Sequence, residues 1–179
     1  MEKELRILLL DDTQSDLELS IHELRKANIH FQFKSAMTRE TFLKELAEFS
    51  PDVIISDFSM PQFTALDALR LLNERKMDLP FIVVTGTGSE EVAVACLQEG
   101  AYDYVVKENL KKLPISLANA LAKRQADREK EKAEEALRIA NTELQKKVQE
   151  LELLNRVMMG REERIVELKE EVARLRAKL

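Results

Sequence analysis

Five short apolar runs, each followed by a stretch of helical periodicity, constrain this chain more than any other feature. The runs are Leu5 to Leu10, Ile29 to Ala36, Val53 to Ser56, Leu79 to Val84 and Ala101 to Val106. The second alternates weakly around Phe31 and Phe33; the others are continuous enough to read as strands buried on both faces. Between them, Leu17, Ile21 and Leu24, then Phe42, Leu43 and Leu46, then Leu66, Leu69 and Leu72 fall at helical spacing. A fourth set is Val92, Ala95, Cys96 and Leu97. Thr13 or Ser15, Thr38 and Ser89 stand where N-caps are needed, the third helix begins near Ala65, and Gly100 suits a helix-ending C′ position. Strand and helix alternating with short connections specify parallel strands joined by crossover helices, a doubly wound α/β sheet.

From about Pro114 the texture changes. Proline is favourable at a helix start, where its missing N–H has no helical partner in any case. Beyond it there is no further proline and one glycine, Gly160. Apolar residues recur every seven positions at Leu137, Leu144, Leu151, Met158, Ile165, Val172 and Leu179. A companion series at Ala140, Lys147, Leu154, Arg161, Leu168 and Leu175 completes an a/d heptad pattern, the signature of a coiled coil. Lys147 and Arg161 weaken the seam, and Leu117 and Leu121 lie in another phase, which places a stutter near 122–136. An unbroken helix from Pro114 would run ~100 Å at 1.5 Å per residue. Pairing with a second copy, parallel or antiparallel, is the simplest way to cover its apolar stripe. The expected division is 1–123 for the α/β domain and 124–179 for a coiled-coil helix continuous with its last helix.

Charge follows the same division. Residues 1–114 hold 13 Lys+Arg and 20 Asp+Glu, a net of −7; residues 115–179 hold 15 and 13, a net of +2. Neither part is a basic nucleic-acid surface, so no nucleic-acid partner is expected. The single Cys96 excludes an internal disulfide and a cysteine-based zinc cluster, and reads as core. No apolar run is long enough to span a bilayer and the first residues do not resemble a secretory signal, so a cytoplasmic protein without a membrane partner is expected.

Chemistry gathers at the strand ends. The first strand ends in Asp11-Asp12, the third in Asp57, the fourth in Thr85 and the fifth in Lys107. Taken singly, Asp11-Asp12 reads as a helix-capping pair, Asp57 and Thr85 as turn residues and Lys107 as a surface lysine. A parallel sheet brings all of these ends to one edge, where ligands bind. Crowded carboxylates repel unless a cation or proton intervenes, and an all-oxygen set suits Mg²⁺. Lys107 and the Thr85 hydroxyl suit phosphate oxygens. Together these groups fit phosphoryl transfer to a carboxylate: Asp57 attacks, metal and Lys107 neutralise developing charge, and Thr85 donates to the new phosphoryl group.

With Asp11-Asp12, Asp57 followed by Met60-Pro61, Thr85-Gly86 and Asp103-Tyr104-Val105-Val106-Lys107, residues 4–123 resemble the response-regulator receiver domain of bacterial two-component signalling. The resemblance implies a flavodoxin-like five-stranded parallel sheet. It implies that Asp57 is the phosphoacceptor, served by a sensor histidine kinase or phosphotransfer protein. Asp12, Asp57 and the Ser59 backbone carbonyl would ligate Mg²⁺, with Asp11 acting through water. Thr85 and Tyr104 would form a switch pair. Such a domain is not an enzyme in the usual sense; it assists its own phosphoryl transfer and hydrolysis. The sequence departs from the family at Thr64-Ala65, where Asp-Gly is usual, at Lys107-Glu108, where Lys-Pro is common, and in a last helix that runs on into the heptads.

His22 and His30 lie outside the long helix, so that helix is not a histidine-phosphorylated hairpin. Thr85-Gly86-Thr87-Gly88 lacks the lysine and spacing of a nucleotide-binding loop. Met158-Met159-Gly160 reads as a pliable coiled-coil packing position. The expected function is a phosphorylation-controlled switch acting on a dimerising coiled coil, without a DNA-binding or catalytic output domain. Two alternatives stand beside it: the amino-terminal part of a larger hybrid kinase or cyclase, and a coiled-coil adaptor with an inert receiver.

Overall fold

The computed structural model describes residues 4–86 and 90–176, excepting the side chains of Glu90, Val92 and Leu175. The expected Ser89 cap, the Thr87-Gly88 turn and seam position Leu179 lie outside the described residues, as do the side chains of Val92 and Leu175. The elements alternate as expected: β1 Leu5–Leu10, α1 Gln14–Lys26, β2 Phe31–Ala36, α2 Arg39–Glu48, β3 Val53–Asp57, α3 Ala65–Glu74, β4 Phe81–Thr85, α4 Glu90–Gln98, β5 Asp103–Val106 and α5 Leu113–Arg176. A 3₁₀ turn, Lys107–Lys112, separates β5 from α5. The five strands form one parallel sheet in the order β2-β1-β3-β4-β5.

Strand residues alternate between two cores. Leu8, Leu10, Ile54, Phe81 and Val83 pack with Phe42 and Leu46 of α2, Leu69 and Leu72 of α3 and Cys96 of α4. Ile7, Leu9, Val53, Ile55, Ile82, Val84 and Val105 face the other way, against Leu17 and Leu24 of α1 and Leu113, Leu117 and Ala120 of α5. β3 and β4 are buried throughout, which is why they read as unbroken apolar runs rather than alternating ones. Each fully buried Leu, Ile or Val contributes about 1.5–3 kcal/mol relative to exposure.

Helix ends follow local chemistry. Thr38 and Thr64 each close a capping box, with Thr41 and Asp67 respectively. Thr64 of the unusual Thr64-Ala65 pair is thus the cap of α3. Gly100, at φ +104°, ends α4, and the Ala101 N–H donates back to the Cys96 carbonyl. Thr13 occupies the N-cap position of α1, but neither it nor Ser15 makes the expected side-chain cap. Asn28, at φ 58°, lies in the turn after α1, and β2 starts at Phe31 rather than at Ile29.

The chain divides into two compact units, Met1–Asp127 and Arg128–Leu179. Within the first, Arg124 on α5 is 12% exposed; its guanidinium donates to the Asp52 carbonyl at 2.9 Å and lies 3.5 Å from Asp78 Oδ2. Lys123 Nζ sits 5.2 Å above the Tyr102 ring. In the second unit, all described residues are helical, and Leu137, Leu144, Leu151, Leu154, Met158, Ile165, Leu168 and Val172 are exposed.

Candidate functional site

The strand order changes direction between β1 and β3, so the crevice at their carboxyl ends is where a doubly wound sheet offers a binding site. Register sets what occupies it. Leu10 pairs with Ser56, so Asp11 follows β1 alongside Asp57, the last residue of β3. Thr85 closes β4 and pairs with Val106, so Lys107 follows directly at the same edge.

Asp57 is 6% exposed and Asp11 6%, whereas Asp12 is exposed. One carboxylate oxygen from each of the three lies within 4.8 Å of those of the other two. The turn after β1 fixes Asp11: its Oδ1 accepts the Thr13 N–H at 2.8 Å. The β3 end is tied down by the Phe58 N–H, which donates to the Val84 carbonyl at 2.8 Å, and by the Ser56 hydroxyl, which donates to the Asp57 carbonyl at 2.8 Å. Lys107 Nζ reaches Asp57 Oδ1 at 3.0 Å and Asp16 Oδ2 at 2.6 Å.

The electrostatics show a surplus of negative charge in this pocket. Burial pushes the Asp11 carboxyl up to about 6; the Thr13 N–H and Lys107 oppose the shift, while Asp57 and Asp16 add to it. Burial also works against the Lys107 ammonium, but its hydrogen bonds to Asp16 and Asp57 and the charges of Asp57 and Asp11 outweigh this, and its pKa is raised. Three carboxylates, Asp11, Asp16 and Asp57, thus act on one ammonium, and Asp12 adds a fourth negative group to the Asp11 and Asp57 cluster. A hard dication bound through oxygen fits that excess of negative charge.

Of the residues singled out in the sequence, Asp11, Asp12, Asp57 and Lys107 are brought together. Thr85 is 2% exposed at the neighbouring strand end. Ser59 is exposed in the loop after β3. Tyr104, on β5, is 39% exposed. Sequence reasoning missed Asp16, which holds Lys107 from the first turn of α1. Its only signal was an acid five positions after Asp11, in a helix whose start lies beside the site.

Fold and crevice define a doubly wound α/β domain with an acid-rich pocket at its switch point. The family is then direct: the response regulator receiver domain model matches residues 7–118, and the chain belongs to that family. Among similar proteins, regulatory protein AtoC of Escherichia coli is 32% identical over 117 residues, covering 65% of this chain and 25% of AtoC. Transcriptional regulatory protein FixJ of Rhizobium meliloti is 32% identical over 77 residues, covering 43% of this chain and 38% of FixJ. The chain therefore spans well under two thirds of these relatives. The receiver domain of a LuxO repressor protein from Vibrio parahaemolyticus superposes with a TM-score of 0.63 at 25% identity, over 70% of this chain and 95% of that one. A receiver domain from Clostridium thermocellum gives 0.60 at 26% identity, over 68% and 98%.

Proposed function

We propose that Asp57 accepts a phosphoryl group from a phosphohistidine on a sensor kinase or phosphotransfer protein, and that the change is read through a dimerising coiled coil. The observation that carries this reading is the Lys107 ammonium 3.0 Å from Asp57 Oδ1 in a pocket with two further carboxylates. An Asp57 carboxylate oxygen attacks phosphorus, the new O–P bond forms, and the N–P bond to the donor imidazole breaks, the imidazole leaving with a proton. Lys107 neutralises charge on the phosphoryl oxygens, and the Thr85 hydroxyl donates to one of them. Asp12, Asp57 and the Ser59 carbonyl would hold Mg²⁺, with Asp11 through water; the ion supplies charge neutralisation at the transferring group.

The proposed switch follows from the same strand ends. Thr85 is drawn to the phosphoryl group, and Tyr104 turns inward from its exposed position into the space Thr85 leaves. The surface of α4, β5 and α5 changes shape with it. In the heptad segment, a second copy covers the exposed leucine seam, since a lone helix would leave residues such as Leu151 65% exposed. The domain division proposed is a receiver over 1–123 and a coiled coil over 124–179. The test is beryllofluoride with Mg²⁺, followed by NMR. Shifts at Thr85, Tyr104 and α5 in wild type that vanish in Asp57→Ala support the reading; equal responses in both contradict it.

A further inference from the structure

Two helices of this receiver begin with the same pattern. Thr64-Ala65-Leu66-Asp67 opens α3, and Thr13-Gln14-Ser15-Asp16 opens α1. In α3 the pattern caps the helix: Asp67 Oδ2 accepts the Thr64 N–H at 3.0 Å, and Thr64 Oγ1 accepts the Asp67 N–H at 3.2 Å. In α1 neither bond forms. The Thr13 N–H goes to Asp11 Oδ1 at 2.8 Å, and the Asp16 carboxylate turns to Lys107 at 2.6 Å. A side-chain cap typically stabilises a helix by about 0.5–2 kcal/mol, so α1 forgoes a local stabilisation that its own sequence could supply. What it gains is a charge-assisted contact between α1 and the residue that follows β5.

We propose that Asp16 is a positioning residue that holds the Lys107 ammonium beside Asp57 and competes with the incoming phosphoryl group for it. The inference rests on the reading of Asp57 as phosphoacceptor. Before phosphorylation, the ammonium bridges Asp16 and Asp57, 2.6 and 3.0 Å away. Once Asp57 carries the phosphoryl group, its oxygens need the same ammonium. Asp16 then retains part of its hold, and the contact that stabilises the phosphorylated state is weaker than Lys107 alone would make it. Asp16 thereby limits how far the active state is populated at a given phosphoryl supply.

The test measures the affinity of the full chain for beryllofluoride at saturating Mg²⁺ in wild type, Asp16→Asn, Asp16→Ala and Asp16→Glu, with thermal unfolding followed in parallel. Release of Lys107 should tighten binding about threefold to tenfold in Asp16→Asn and Asp16→Ala, a fraction of one charge-assisted hydrogen bond, since Asp16 keeps only part of its hold. Asp16→Glu, which keeps the carboxylate, should return the affinity toward wild type. The gain should persist at about 0.5 M salt, where long-range charge effects are screened but a direct contact is not. A residue serving only α1 would lower the unfolding midpoint and leave the affinity unchanged or weaker. That result, or a gain that vanishes in high salt, overturns the inference while leaving Asp57 as acceptor. A wild-type chain that binds no beryllofluoride, or binds it equally well as Asp57→Ala, overturns both.

Discussion

Lys107 Nζ lies 3.0 Å from Asp57 Oδ1, although the two residues arrive from strands that are not neighbours. β4 stands between β3 and β5, so the lysine side chain crosses the end of the strand that carries Thr85. The geometry fixes what a substitution must do. Lys107→Ala removes the only ammonium paired with Asp57 among the described residues. It should cut the rate of labelling by acetyl phosphate at least tenfold, an effect of about 1.4 kcal/mol or more, while the far-UV circular dichroism stays that of wild type. An unchanged labelling rate would remove Lys107 from the mechanism.

Acid should work against magnesium. The folded Asp11 carboxyl titrates at about 6 against an ordinary value of 3.8, because burial disfavours its charged form. A pKa raised on folding stabilises the protonated folded state. In metal-free protein, the Asp11 contribution to stability is therefore fully present below about 3.8 and is lost as pH rises through about 6. Mg²⁺ needs the carboxylate form, so its affinity should fall as pH drops through that same upper value, with a proton released on binding there. Calorimetry in buffers of different ionisation enthalpy checks the proton count; affinity independent of pH between 7 and 5 would contradict the assignment.

Arg124 anchors α5 at the edge of the sheet opposite the acidic site, donating to the Asp52 carbonyl just before β3. Arg124→Ala removes that bond and the 3.5 Å pairing with Asp78. It should lower the unfolding free energy by about 1–3 kcal/mol, read from urea denaturation of the full chain. A loss under a few tenths of a kcal/mol would show that the anchor is dispensable.

The heptad seam makes a separable prediction. The full chain should be a dimer at micromolar concentration by light scattering, and a chain ending near Lys123 a monomer. Leu151→Lys, which puts a charge on the seam, should dissociate the full chain, whereas Lys147→Leu with Arg161→Leu should tighten it. A monomeric full chain would remove the coiled-coil dimer and leave the receiver reading intact.

Much of this was legible in the sequence because the physics was local. Buried parallel strands cannot alternate, so β3 and β4 announced themselves as apolar runs, and the residue ending each run had to lie at the binding edge. Strand starts were less legible. β4 begins at Phe81, after Pro80, and β5 at Asp103, so both expected strands began two residues early. The 3₁₀ turn at Lys107–Lys112 gave no periodic signal over so short a span. Asp16 was illegible for a different reason. In sequence, an acid in a helix's first turn answers to its own helix, and only the fold reveals that the Thr13 N–H is already taken by Asp11 and that Lys107 lies within reach.

The central claim is that Asp57 takes the phosphoryl group, and intact-protein mass spectrometry after incubation with acetyl phosphate and Mg²⁺ tests it most directly. The wild-type chain should gain the mass of a single phosphoryl group, and Asp57→Ala should gain none while keeping its fold. Equal modification of both chains, or none in either, would contradict the account.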